Sequence, residues 1–135
     1  MMMQHRWTAL VTLLSLLAYF GMSLQVARAR GKCGIHAPAM TGDPRLERAV
    51  RVHYNTLEWL PIFLASLWLF AIYWNELVAA GLGLAWIAGR LIYAAGYMAD
   101  PAKRSTGFLI QFVASAALLL GALGRIIYSL VTGGV

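Results

Sequence analysis

The sequence predicts an all-α integral membrane protein, a bundle of four transmembrane helices, and three observations predict it. Of its 135 residues, 61% are apolar and only 12% charged, about half the charged share of an ordinary soluble domain. The apolar residues fill long runs instead of recurring at helical or strand spacing. Four of these runs reach the roughly 20 residues needed to cross a hydrocarbon core of about 30 Å. The connections between them are too short to fold independently, so residues 1–135 are expected to form one four-helix domain.

The first span covers residues 7–27. Its basic start, apolar centre and Ala27-Arg28-Ala29 ending superficially resemble a secretory leader. The run is longer than a leader's roughly 7 to 15 apolar residues, and Arg28, Arg30 and Lys32 follow it. That suits a retained helix beginning at Met1. The second helix, 44–74, starts where Asp43 and Pro44 form an N-cap and first-turn pair after a loop at 31–42. At about 1.5 Å per residue it is about 46 Å long, so its first turns project from the hydrocarbon carrying Arg45, Arg48 and Arg51. Pro61 removes one backbone donor and is expected to kink it. The third span, 77–98, stops before the helix-breaking pair Asp100-Pro101. The fourth covers 107–131.

The net charge of +6 is informative through its distribution, which argues against a nucleic-acid partner. Of eleven basic residues, six (Arg28, Arg30, Lys32, Arg45, Arg48, Arg51) fall between the first span and the apolar run at 57–74 of the second helix, and Lys103 and Arg104 lie between the third and fourth. With four spans these two connections share one side, which the positive-inside rule makes cytoplasmic, with both termini outward. The expected location is a bacterial inner membrane or the endoplasmic reticulum. Cys33, the single cysteine, then lies on a reducing side as an incidental thiol. His5, His36 and His53 are far apart in sequence, and no metal-ligand spacing is present. Phosphate-loop, nucleophile-elbow and repeat patterns are likewise lacking.

Polar residues on the second and third helices are ordered. Arg48, Arg51, Asn55 and Glu58 share one face and descend into the membrane. Arg90, Tyr93 and Tyr97 form a similar stripe on the third. An unpaired carboxylate at membrane depth costs about 2.5 to 3.5 kcal/mol, so Glu58 needs a partner or water. The alternating topology puts Arg90 at comparable depth, where a structural ion pair is one reading and a ligand site the other. Tyr93 and Tyr97 read equally as interfacial anchors. Together the stripes describe a polar, net cationic pocket near the cytoplasmic interface, suited to an anionic hydrophilic molecule meeting a lipid-soluble one.

The segment Glu47-Arg48-Ala49-Val50-Arg51-Val52-His53-Tyr54-Asn55-Thr56-Leu57-Glu58-Trp59-Leu60-Pro61, with the later Arg90-Leu91-Ile92-Tyr93-Ala94-Ala95-Gly96-Tyr97, resembles the MAPEG family. These are membrane-associated proteins in eicosanoid and glutathione metabolism. The resemblance runs from the loop after the first helix to the end of the fourth. It implies a homotrimer with glutathione, as cosubstrate, bound at each subunit interface near the cytoplasmic side. Carried over position by position, Arg51, Asn55, Glu58, Tyr93 and Tyr97 form the glutathione-binding set. Arg104 becomes the catalytic arginine that stabilises the thiolate, and Arg30 and His53 reach a neighbour's glutathione. The charges agree: glutathione carries two carboxylates and an ammonium, which cationic arginines and an acid such as Glu58 complement.

The activity this implies is a glutathione transferase, with peroxidase activity as a further expectation, acting on hydrophobic electrophiles in the bilayer. Trp59 stands where leukotriene C synthase has a tyrosine, removing one hydroxyl. Ser105 after Arg104 is more like prostaglandin E synthase, but that enzyme's acidic residue in the first loop has no counterpart between Arg28 and Gly42. Two alternatives stay open: a lipid-binding scaffold of the same family without glutathione chemistry, and a small four-span exporter using Glu58 as a proton-coupled site. Ala117 and Gly121, with Gly81, Gly83, Gly89 and Gly96, offer close helix approach, within one subunit or between copies.

Overall fold

The computed structural model describes residues 4–134, so Met1 lies outside the described part of the chain. Four helices follow in order: α1 (Arg6–Cys33), α2 (Pro44–Tyr73), α3 (Glu76–Ala99) and α4 (Ser105–Thr132), with a 3₁₀ turn at Pro101–Arg104 leading into the last. All four are long and apolar enough to cross a membrane. The expected all-helical, four-span architecture is therefore the observed one. Helix α1 runs six residues past the expected end at residue 27, because nothing breaks it before Gly34, whose positive φ of 67° closes it. Arg28, Arg30 and Lys32 thus ride on helix, not loop. Helix α2 continues through Pro61 without a break in its helical turns.

The ends are capped by contacts that also fix the packing. Asp43 accepts the Arg45 backbone N–H at 2.8 Å, and Asn75 caps α3 by accepting from Val78 N at 2.9 Å. Arg48 reaches across to donate to the last carbonyls of α3, Met98 O at 3.2 Å and Ala99 O at 3.3 Å. Its cation suits that negative helix end. At the opposite end Arg125 donates through Nε to Tyr73 O at 3.2 Å, closing the carboxyl end of α2. The α1–α2 and α3–α4 connections therefore share one end of the bundle, as the alternation of spans required.

Packing is densest between α3 and α4, where glycines let backbones meet. A Cβ on Gly89 would lie 2.7 Å from Gln111 N and one on Gly96 would lie 2.6 Å from Lys103 O. Gly83 faces Val11, Leu67 and Phe63, and Gly121 faces the Phe70 ring. These small residues serve contacts within the chain, whereas Gly81 has open space around it. The core centres on a Phe63–Trp86 stack with ring centroids 4.0 Å apart, flanked by Val11, Leu67 and Leu118. Outward-facing Leu13, Leu17, Leu120 and Leu130 are exposed in the single chain. In a bilayer that surface meets lipid, which satisfies it as water would not.

Candidate functional site

At the end of the bundle shared by the two connections, a groove of about 740 Å³ opens between α2, α3 and α4. Arg51 and Asn55 line it from α2, one helical turn apart; Tyr93 and Tyr97 line it from α3; Arg104 and Ser105 close it at the start of α4. Phe108, Leu109 and Phe112 continue it downward as an apolar wall. The wall is braced by Trp59, whose ring stands edge-on to Phe108 and Phe112 at 5.7 and 5.8 Å.

Close approach of α3 and α4 makes the groove. Gly107 is buried against the backbone of Tyr93 and Gly89, so the helices cross tightly at the level of Tyr93. Phe108 is thereby set 6.3 Å from Tyr93, and Tyr93 5.7 Å from Tyr97, ring centroid to ring centroid. Arg104 is exposed, and its Nη1 donates to Pro101 O at 2.8 Å, which ties the guanidinium to the 3₁₀ turn. That turn exists because Asp100 accepts from Ala102 N at 3.0 Å and Pro101 supplies its first residue. Arg51 is exposed where α2 lines the groove. Two cations, an amide and two phenols thus converge on one open volume.

Five of the residues singled out in the sequence, Arg51, Asn55, Tyr93, Tyr97 and Arg104, meet in this groove. Three do not line it. Glu58 is exposed on α2 and has no hydrogen bond or ion pair among the described residues. His53 stacks on Tyr19 of α1 at 4.7 Å, nearly parallel. Arg30 donates through Nη1 to Ala39 O and pins the loop after α1.

The ion pair considered for Glu58 and Arg90 is not formed. Arg90 is fully buried and donates instead to Asn55 Oδ1 at 3.0 Å and Thr56 Oγ1 at 2.7 Å, because α3 brings it to the level of α2 two to three residues before Glu58, less than one turn away. The aromatic wall was missed by the sequence reading. Phe108 and Phe112 follow Arg104 at offsets of four and eight, one face of a helix, a signal hidden by the surrounding apolar residues.

Fold and groove together define a multi-pass helical membrane protein with a cationic recess set beside an apolar wall. The MAPEG family model matches residues 8–131. A protein of Synechocystis sp. with no characterised function is 46% identical over 124 residues, 92% of this chain and 90% of that one. Microsomal glutathione S-transferase 2 of Homo sapiens is 43% identical over 117 residues, covering 86% of this chain and 80% of its own length. Leukotriene C4 synthase of Bos taurus is 39% identical over 127 residues, covering 90% and 82%. This chain belongs to the MAPEG family.

Proposed function

We propose that the protein is a membrane-bound glutathione transferase that activates the glutathione thiol for attack on lipophilic electrophiles. The observation that carries this reading is the groove itself, where Arg51, Asn55, Tyr93, Tyr97 and Arg104 stand beside Phe108, Leu109 and Phe112. A volume of about 740 Å³ is within the usual range for a small-molecule site. Its polar half suits a hydrophilic peptide with carboxylates, and its apolar half suits a substrate partitioned into lipid. The relatives named as a glutathione transferase and a leukotriene synthase support the same reading.

In this reading Arg51 and Asn55 bind acceptor atoms of glutathione, and the Tyr93 and Tyr97 phenols add hydrogen bonds. Arg104 is the catalytic residue. Its guanidinium keeps its charge at all accessible pH, so placing it by the sulfur favours the thiolate over the thiol. The proton leaves to water, and the sulfur forms a bond to the electrophilic carbon as that carbon's leaving group or epoxide oxygen departs with the bonding pair. The chain acts as a homotrimer, in which Arg30, His53 and Glu58, outside the groove of a single chain, complete the site across subunit boundaries. By the positive-inside rule the groove opens to the cytoplasm.

The test is ultraviolet difference absorbance of the detergent-solubilised trimer titrated with glutathione, followed by an aryl halide. A saturable thiolate band and conjugate are expected. Arg104→Ala should abolish the band and lower turnover about 100-fold while glutathione still binds. Neither band nor conjugate in an assembled sample would overturn the proposal in favour of a lipid-binding scaffold.

A further inference from the structure

The guanidinium of Arg90 lies fully buried between α2 and α3, and no carboxylate pairs with it among the described residues. Its partners are neutral: Asn55 Oδ1 at 3.0 Å through Nη1, Thr56 Oγ1 at 2.7 Å through Nη2, and the face of the Tyr93 ring 4.3 Å from the guanidinium carbon. Burying a cation on neutral acceptors is costly, so Arg90 calls for a role beyond packing. Arg90 itself does not line the groove, whereas Asn55 and Tyr93 both do.

A guanidinium has donors only, which settles the orientation of the amide it touches. Asn55 must turn its oxygen to Arg90, and its NH₂ group is then what it offers to the groove. A free asparagine could flip and serve either a donor or an acceptor; this one cannot flip without setting NH₂ against a buried cation. Arg51, one turn earlier on the same helix, also offers only donors. Resting on the glutathione reading above, we infer that Arg90 is a positioning residue that fixes Asn55 as a donor-only group. Asn55 and Arg51 then form a clamp for a carboxylate of the ligand and reject its ammonium.

The two polarities of Asn55 predict opposite orders for two substitutions, read by calorimetric titration of the solubilised full-length protein with glutathione. Asn55→Ala should weaken binding about 10-fold. Asn55→Asp should weaken it further, by about another 10-fold, because a carboxylate cannot donate and repels the ligand's own. Yet Asn55→Asp should unfold at a higher temperature than Asn55→Ala, since its new carboxylate still accepts from Arg90. Arg90→Met should cost affinity, and combining it with Asn55→Ala should cost less than the product of the two single losses. A purely structural role for Arg90 would make the losses multiply, and that result overturns the inference. So does Asn55→Asp binding glutathione as well as or better than Asn55→Ala. Should the unsubstituted protein bind no glutathione, the transferase reading falls by itself. The orientation of Asn55 is then decided by the order of unfolding temperatures, and Asn55→Asp no more stable than Asn55→Ala overturns it.

Discussion

The carboxylate of Glu76, in the first turn of α3, accepts the backbone N–H of Trp7 at 3.1 Å and sits 3.4 Å from that of Thr8, so α3 caps the start of α1. Helix α1 has no cap of its own, because its flanking residue His5 is in the left-handed region and makes no side-chain bond there. An anion at that position also complements the positive end of the helix. Glu76→Ala should lower stability by about 1 kcal/mol and Glu76→Gln by less, since the amide oxygen still accepts. Thermal unfolding followed by circular dichroism checks this, and equal loss in both variants would assign the effect to charge instead of the hydrogen bond.

The glycines of α3 and α4 separate into two kinds. A Cβ on Gly107 would lie 2.6 Å from Gly89 O and closer still to Tyr93 N, both backbone atoms that cannot move aside. Gly107→Ala should therefore cost about 3 kcal/mol, the upper part of the overpacking range, and distort the groove wall at Tyr93. Gly81→Ala meets nothing within 4 Å and should stabilise α3 by about 0.5 to 1 kcal/mol. Unfolding midpoints of the two variants should move in opposite directions.

Asp43 gives a pH signature at the start of α2. Hydrogen bonds from the Arg45 side chain, and then from its backbone N–H, hold the Asp43 carboxyl at about 2 against an ordinary 3.8. A depressed folded value means the contribution is fully present above the ordinary value and is lost as pH falls from about 4 through about 2. The unfolding temperature should fall across that window, and less steeply in Asp43→Asn, which keeps a cap oxygen but cannot titrate. An identical slope in the variant would remove Asp43 as the source.

Phe112 stands on the apolar wall of the groove. It is about half exposed along the apolar wall and is contacted by Trp59 and Phe108. Phe112→Ala should raise KM for a lipophilic electrophile about 10-fold through lost apolar contact, leaving the glutathione titration unchanged. Steady-state kinetics with one hydrophobic and one small polar electrophile would show it, because only the first should respond.

Much of this architecture was legible in the chain itself. Four apolar runs fixed four helices within a few residues, since a hydrocarbon core demands length and apolarity, which composition displays directly. Asp43-Pro44 marked the start of α2, and the spacing of Arg51 with Asn55 and of Tyr93 with Tyr97 marked faces that do meet, because helical periodicity is a local property. The apolar span stops at residue 27, six residues short of the end of α1, because basic residues interrupt the apolar run while their propensity lets the helix continue to Gly34. Partners could not be read locally. Which neighbour a buried charge finds depends on the height and rotation at which two helices cross, quantities set between α2 and α3 by packing such as the Phe63–Trp86 stack. Sequence therefore determined the spans, their alternation and the charged faces. Only the tertiary structure decided that Arg90 answers to Asn55 and Thr56 instead of Glu58, because a sub-turn difference in helix register exchanges one partner for another.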